Sequence, residues 1–566
     1  MAPRVWVRME LFEHFALPFA SRCLAQLTPA SISAVVGALH ALELPPAPAL
    51  GTVARLIPSE RYDAWQQIAT EVLQWKELEC RSFWLVLTTA HRHIRVPSED
   101  AEAYDASVLV DEDYYAKESV PLFKLAIFLY LHLEKPSKAK PKTAFSAVWH
   151  RDEGTPPPST PNSPGPASPH TIGLKDRSES EMQYLHFIRD HLDTLIVLLF
   201  DVQRDGNVFA DILLRPEQLD VVGFLLAGGD SFVQQQYYLS TIYPKWVHGA
   251  QYTSKLSKWL KKYLTLNDAL YPPIGFALTP SMHFQLHGSF DLHDGGDMDD
   301  SEGAIHLQRP LVLSNIAKST VIKRADEMTP RSDVTIFACH DAFIYILGPV
   351  RYPFPYIVVL YIVLVPNNGV LSIDRCESVK VTGVAALLRV HNCLDSVFNV
   401  YTPRRGLFSG DNRGLVVGPY NCTYPMLEHH LSTSQFAFVP HTAGMWDKLL
   451  NLASPEDATE KDAIVLQSPS QFLDVCIPVK MDLSAPAVSK APPLTLPPPF
   501  EAVVQQLHAN VESLRLLLAQ DDLESAGKRA LEQAVQAKFK EWLTSSGHAR
   551  EVLDLVQLEK ARDQST

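Results

Sequence analysis

The sequence predicts a multidomain α + β chain, with a parallel β-helix spanning 305–440 between α-helical N-terminal and C-terminal regions. One observation predicts the β-helix. The pattern apolar-x-apolar-x-x-Cys occurs three times, as Val334 to Cys339, Leu371 to Cys376 and Leu388 to Cys393. Each is followed by a second β-rich run: Phe343 to Ile346, Val379 to Val381, and Val397 to Val400. Two short strands joined at a small-residue corner form the turn of a solenoid. The cysteines lie 37 and then 17 residues apart, so a coil of about 18 residues fits if one coil separates the first pair. A second observation predicts the flanks: apolar residues recur there at spacings of three and four, interrupted by proline-rich or acidic stretches.

At 566 residues the chain is too long for one hydrophobic core. Residues 1–134 read as a helical region. Trp65, Ile68, Val72 and Trp75 mark one helix face, and a second face from Leu122 to Leu131 ends at Lys135-Pro136. Residues 135–181 are rich in proline, serine and threonine, bury too little apolar area to offset their chain entropy, and read as a disordered linker. Thr155, Thr160, Ser163 and Ser168 precede proline there and are candidate phosphorylation sites.

Helical spacing returns over 182–285, at Leu185, Ile188, Leu192, Leu195 and Leu199, then at 216–227 and 256–264. Residues 286–304 form an acidic linker. Its run from Asp291 to Gly303 lacks the alternating oxygens and terminal Glu of a calcium loop. After the β-helix, 441–499 reads as an irregular connection. Residues 500–566 read as helical, as a hairpin packed on the solenoid or on a partner.

Composition excludes several functions. A formal charge of −14 argues against a broad nucleic-acid surface. Seven cysteines with no C-x-x-C pair give little support for zinc, and their odd number fits reduced thiols in a cytosolic protein. The longest apolar run, Phe354 to Val365, contains Pro355 and is shorter than the roughly 20 residues a bilayer span needs. No metal, cofactor, signal peptide or membrane span is expected.

Several stretches carry a family resemblance: Tyr401-Thr402-Pro403-Arg404-Arg405 with Ser409-Gly410-Asp411-Asn412, Gly418 to Glu428, Phe343 to Leu347, and Lys538 to Leu543 with Gly547-His548. The chain resembles the TBCC-domain family, relatives of tubulin-folding cofactor C. The resemblance implies a right-handed parallel β-helix, the cofactor C-like (C-CAP) domain, between helical parts. It also implies a non-enzymatic cytoskeletal protein of the centrosome, spindle pole or basal body that positions the microtubule-organising centre, Golgi and cilia, with protein partners there. One departure lies at 352–364, where a coil corner is due near residue 357 but the run is apolar and carries no cysteine.

In relatives of this kind a Gln-x-Arg motif supplies an arginine finger to tubulin or to an Arf-like GTPase. Here the matching positions read Leu387-Leu388-Arg389, with the arginine present and the glutamine absent. Strand alternation turns Leu388 and Val390 inward and Arg389 outward, where a guanidinium can meet charge developing on a partner's nucleotide. Arg389 is therefore the one candidate catalytic residue, set against its reading as a solvated surface charge. Leu387 is expected to face outward too. Arg404 and Arg405, about one coil later, either cluster with Arg389 or line a loop. Cys339, Cys376 and Cys393 read as small buried packing residues, and His429-His430 as too close in sequence to share a helix face. A sugar-active β-helix would need paired carboxylates, but Asp374, Glu377 and Asp395 are scattered.

Overall fold

The computed structural model describes residues 4–19, 21–41, 59–94, 118–133, 169–199, 211, 213–229, 235–266, 305–306, 311–314, 316–328, 332–337, 339–356, 358–424, 426–433, 442–452, 464–477, 494–519 and 525–545, with short pieces near 549–557. The phosphorylation candidates, the acidic run at 291–303 and most of the 135–181 linker lie outside these residues. The chain divides into two compact units, one holding most residues up to 309 and the other essentially 310–566.

In the first unit the described helices include α1 (Pro29–Ala41), α2 (Tyr62–Leu73), α3 (Glu77–His93), α4 (Leu122–Leu131), α5 (Pro169–Leu199) and α6 (Thr253–Tyr263). Pro169 opens α5 inside the stretch expected to be linker, with its fixed φ suited to the first helical turn. Trp65, Trp75 and Phe83 form an aromatic centre, Trp65 and Phe83 being stacked at 4.6 Å. The two regions expected as separate helical blocks share this unit.

The unit also contains strands the periodicity did not reveal. These are β1 (Arg4–Val7), β2 (Leu226–Gly229), β3 (Gln235–Tyr237), β4 (Leu264–Thr265) and β5 (Ile305–His306), in the order β4-β1-β2-β3-β5. None exceeds four residues, too few for alternation to register.

The second unit is a parallel β-solenoid. One ladder runs through β6 (Leu311–Ser314), β8 (Ser332–Phe337), β10 (Val350–Tyr356), the end of β11 (Val358–Asp374), the end of β12 (Glu377–His391), β14 (Gly406–Ser409) and β17 (Leu449–Asn451). The other runs through β7 (Thr320–Arg324), β9 (Ala342–Leu347), the starts of β11 and β12, β13 (Val397–Tyr401), β15 (Val416–Pro419) and β18 (Val465–Leu466).

The atypical run at 352–364 is therefore a coil in backbone terms, pairing with the coils before and after it. The pairs Ala342↔Leu360 and Val358↔Glu377 set it in register with the coils on either side, while 357, where a corner is due, lies outside the described residues. The segment 441–499 contributes β17, β18 and β19 (Val475–Cys476), the last pairing with β16 (Cys422–Thr423). The solenoid thus continues past residue 440 through strands of two or three residues, too short to stand out from loop sequence.

Inward residues stack coil on coil. Ile344, Val381, Phe398 and Val417 form one buried column and Ile373, Val390 and Phe408 another. The corners have a common backbone device. Lys318, Asp341, Ser378, Asp395 and Gly414 repeat one corner position with φ between 44° and 64°.

A left-handed backbone is easiest for glycine, and a Cβ on Gly414 would lie 2.3 Å from Asp395 Oδ1. Gly414→Ala is expected to destabilise the solenoid by at least the ~1–2 kcal/mol of the left-handed penalty. A lowered thermal midpoint for the variant checks this, and an unchanged one refutes it.

Candidate functional site

The site is built on the last full coils. Parallel bridges Glu377↔Leu394 and Leu394↔Arg413 align the corners, so Cys376, Cys393 and Asn412 occupy one column. The thiols are buried, and Cys393 Sγ lies 3.3 Å from the His391 carbonyl. At the next corner an amide replaces the thiol. Asn412 Oδ1 accepts the Cys393 N–H at 2.9 Å, and its Nδ2 donates to the Ser409 carbonyl at 2.9 Å. Asn412 belongs to the stretch that carries the family resemblance, and the cysteine pattern has no place for it. All seven cysteines are free thiols, and only Cys476 is exposed. Among the described residues no three His, Cys, Asp or Glu side chains gather closely enough to hold a metal ion.

Arg389 stands where alternation put it. Leu388 and Val390 are buried in the lumen, and Arg389 points away from it, partly exposed. In the ladder it lies between Ser372 and Leu407. Both neighbours are buried, and so is Leu387, the residue in the place of the absent glutamine. The row around Arg389 is thus covered, and Leu387 adds no exposed apolar surface.

Arg404 is buried at the coil corner, where Thr402 Oγ1 donates to its carbonyl at 3.0 Å. The residue level with Arg389 on the next coil is Leu407, so the register places neither Arg404 nor Arg405 beside it.

One rung along, Asp374, His391 and Ser409 follow each other in the ladder, a Ser/His/Asp set on consecutive coils. His391 Nδ1 lies 3.0 Å from Ser409 Oγ, while Asp374 Oδ2 accepts from Arg375 Nε at 3.1 Å. Burial pushes the His391 pKa down, Asp374 opposes that shift, and the Arg389 charge adds to it. Ser409 is fully buried, so its hydroxyl cannot meet a substrate, and the set stitches coils together. Asp374 and Glu377 flank the corner at Cys376 and Asp395 lies on the next corner, and no two of them share a ladder position.

A second apolar cluster lies outside the lumen. Tyr345, Leu347, Val384, Tyr401, Tyr420 and Tyr424 pack with Leu427 and Leu431 of α7 (Leu427–Thr433). His430 is buried there with Nδ1 2.8 Å from Tyr424 Oη, and burial pushes its pKa down to about 4. His429 is exposed, so the adjacent pair diverges as helix geometry requires. The last coil is capped by Phe500, which meets Trp446 and Phe472 edge-on at 5.5 and 5.2 Å. Phe500 opens α8 (Pro498–Ala519), which is followed by α9 (Ser525–Ser545).

Residues 331–450 match the family described as tubulin binding cofactor C. Beyond that domain, the chain is similar to proteins named TBCC domain-containing protein 1. The rat protein is 25% identical over 530 residues, covering 90% of this chain and 89% of its own length. The human protein is 23% identical over 526 residues, covering 88% and 89%. The Xenopus laevis protein is 24% identical over 467 residues, covering 79% and 80%. The similarity thus takes in the helical unit as well as the solenoid. Among the described residues no helix is long and apolar enough to cross a membrane.

Proposed function

We propose that this chain, a cofactor C-like solenoid joined to a helical unit, is a non-enzymatic cytoskeletal protein. In this reading it acts at the centrosome, spindle pole or basal body, positions the microtubule-organising centre, Golgi and cilia, and uses the solenoid as a binding surface for tubulin-related partners. Similarity to TBCC domain-containing proteins along nearly nine-tenths of both chains supports it. The observation that carries the non-enzymatic part is the covered row around Arg389: a finger must reach a partner's nucleotide, and here Ser372, Leu387 and Leu407 are buried about it. A second reading, a GTPase activator for tubulin or an Arf-like GTPase, draws on the outward, rigidly mounted guanidinium of Arg389 itself.

Single-turnover GTP hydrolysis by tubulin and by an Arf-like GTPase separates the two. The wild-type chain and Arg389→Ala are expected to leave both rates unchanged. An acceleration approaching the ~10³–10⁵ of known fingers, lost in Arg389→Ala, would overturn the non-enzymatic reading. The location is tested by imaging a tagged chain against a centriolar marker. Diffuse signal with no enrichment at the microtubule-organising centre would remove that part.

A further inference from the structure

We propose that α8 is the seam of a parallel two-stranded coiled coil joining two copies of this chain. Phe500, Val504, Leu507, Val511, Leu514 and Leu518 follow one another at steps of four, three, four, three and four. That is a period of 3.5 held without a polar interruption, the repeat that keeps one stripe facing a partner helix. Val504 and Val511 fall at a positions, and Leu507 and Leu514 at d. β-Branched a residues with leucine at d favour two parallel strands over higher assemblies.

The structure divides this stripe. Phe500 and Val504 pack on the end of the solenoid core and anchor the helix. Beyond them Leu507 is 44% and Val511 48% exposed, and Phe500 is the only fully buried residue of the helix. Leu514 and Leu518, farther along the stripe, are half-buried. The helix is already formed, so pairing costs little further ordering.

The other helix of this chain at hand, α9, does not match the seam. Its apolar stripe, Leu531, Val535, Phe539 and Trp542, steps by four, four and three. That eleven-residue spacing drifts opposite in hand to a 3.5 repeat, so the two stripes diverge along their length. No residue of α9 is buried. A second copy of α8 has the same period by construction. In parallel register the flanking positions place Asn510 against Arg515 and Val503 against His508 of the other copy, with no like-charged pair.

Mass measurement by light scattering on the full chain across a dilution series tests this. The wild-type chain is expected to be a dimer that dissociates on dilution. Leu507→Glu/Val511→Glu is expected to be monomeric with an unchanged circular dichroism spectrum, since both side chains are about half in solvent. Leu516→Glu is the internal control, because Leu516 is 59% exposed but lies opposite the seam, and it should stay dimeric. In a Cys476→Ser background, Leu507→Cys should cross-link to its own counterpart on oxidation, as a parallel register requires. A wild-type monomer at every concentration would overturn the proposal, as would a double variant that stays dimeric or loss of the dimer in Leu516→Glu. Absence of the cross-link would overturn the parallel register.

Discussion

Phe398→Ala will destabilise the solenoid by about 3–5 kcal/mol, the usual cost of removing a fully buried ring. Phe398 is fully buried in the lumen between Val381 on the coil before and Val417 on the coil after. The void it leaves cannot close easily, because its neighbours are held at strand spacing by the ladders themselves. Val381→Ala removes less volume from the same column and should cost about 2 kcal/mol, on the scale of lost methyl groups plus a smaller cavity. Hydrogen exchange reads the effect locally. Amides of 397–401 and their partners at 380–384 and 416–419 should lose protection together, while α2 and α3 of the helical unit keep theirs. Uniform loss across both units, or none in the solenoid, would refute a lumen built from stacked columns.

That lumen was legible because a solenoid repeats itself. The corner spacing gives a coil of about 18 residues and makes a corner due near 357, whereas the apolar run at 352–364 departs from the coil pattern and its pairing is visible only in the ladders. The left-handed residue two places beyond these corners was not legible, since Lys318, Asp341, Ser378 and Asp395 share a backbone conformation while ranging over lysine, aspartate and serine. The amide that replaces the thiol at Asn412 escaped for a related reason: a column can be satisfied by packing at one coil and by hydrogen bonds at the next. Strands of two or three residues, such as β17 and β18, escaped because alternation needs more residues than they have.

For the candidate site, alternation placed Arg389 outward but could not place what covers its row. The burial of Leu387 and Leu407 comes from tertiary packing, which a period-two pattern does not contain. A coil of about 18 residues counted from Arg389 reaches Leu407, the residue the ladder sets level with it, so Arg404 and Arg405 fall three and two residues short of that rung.

The outer cluster leads to the second large effect, a loss of stability in mild acid that passes through His430. In the native chain this ring is buried beside Tyr424, and burial holds its pKa down to about 4, with the neighbouring His429 adding to the shift. Unfolded, the ring titrates near 6.5. Between those values the unfolded chain binds a proton that the native chain does not, so stability must fall as pH drops through that window. Above pH ~6.5 the contribution is intact. By pH ~4 it has been lost, to the extent of roughly 3 kcal/mol. The chemistry agrees with the geometry, since the neutral ring can accept the Tyr424 hydroxyl proton at Nδ1, whereas the charged ring has no acceptor left there. His430→Gln retains an acceptor for that hydroxyl and cannot charge. Its stability near neutrality should therefore stay close to that of the wild-type chain, and its decline from pH 7 to 4.5 should be shallower. Parallel declines in wild type and variant, measured as thermal midpoints against pH, would show that His430 is not the group being titrated.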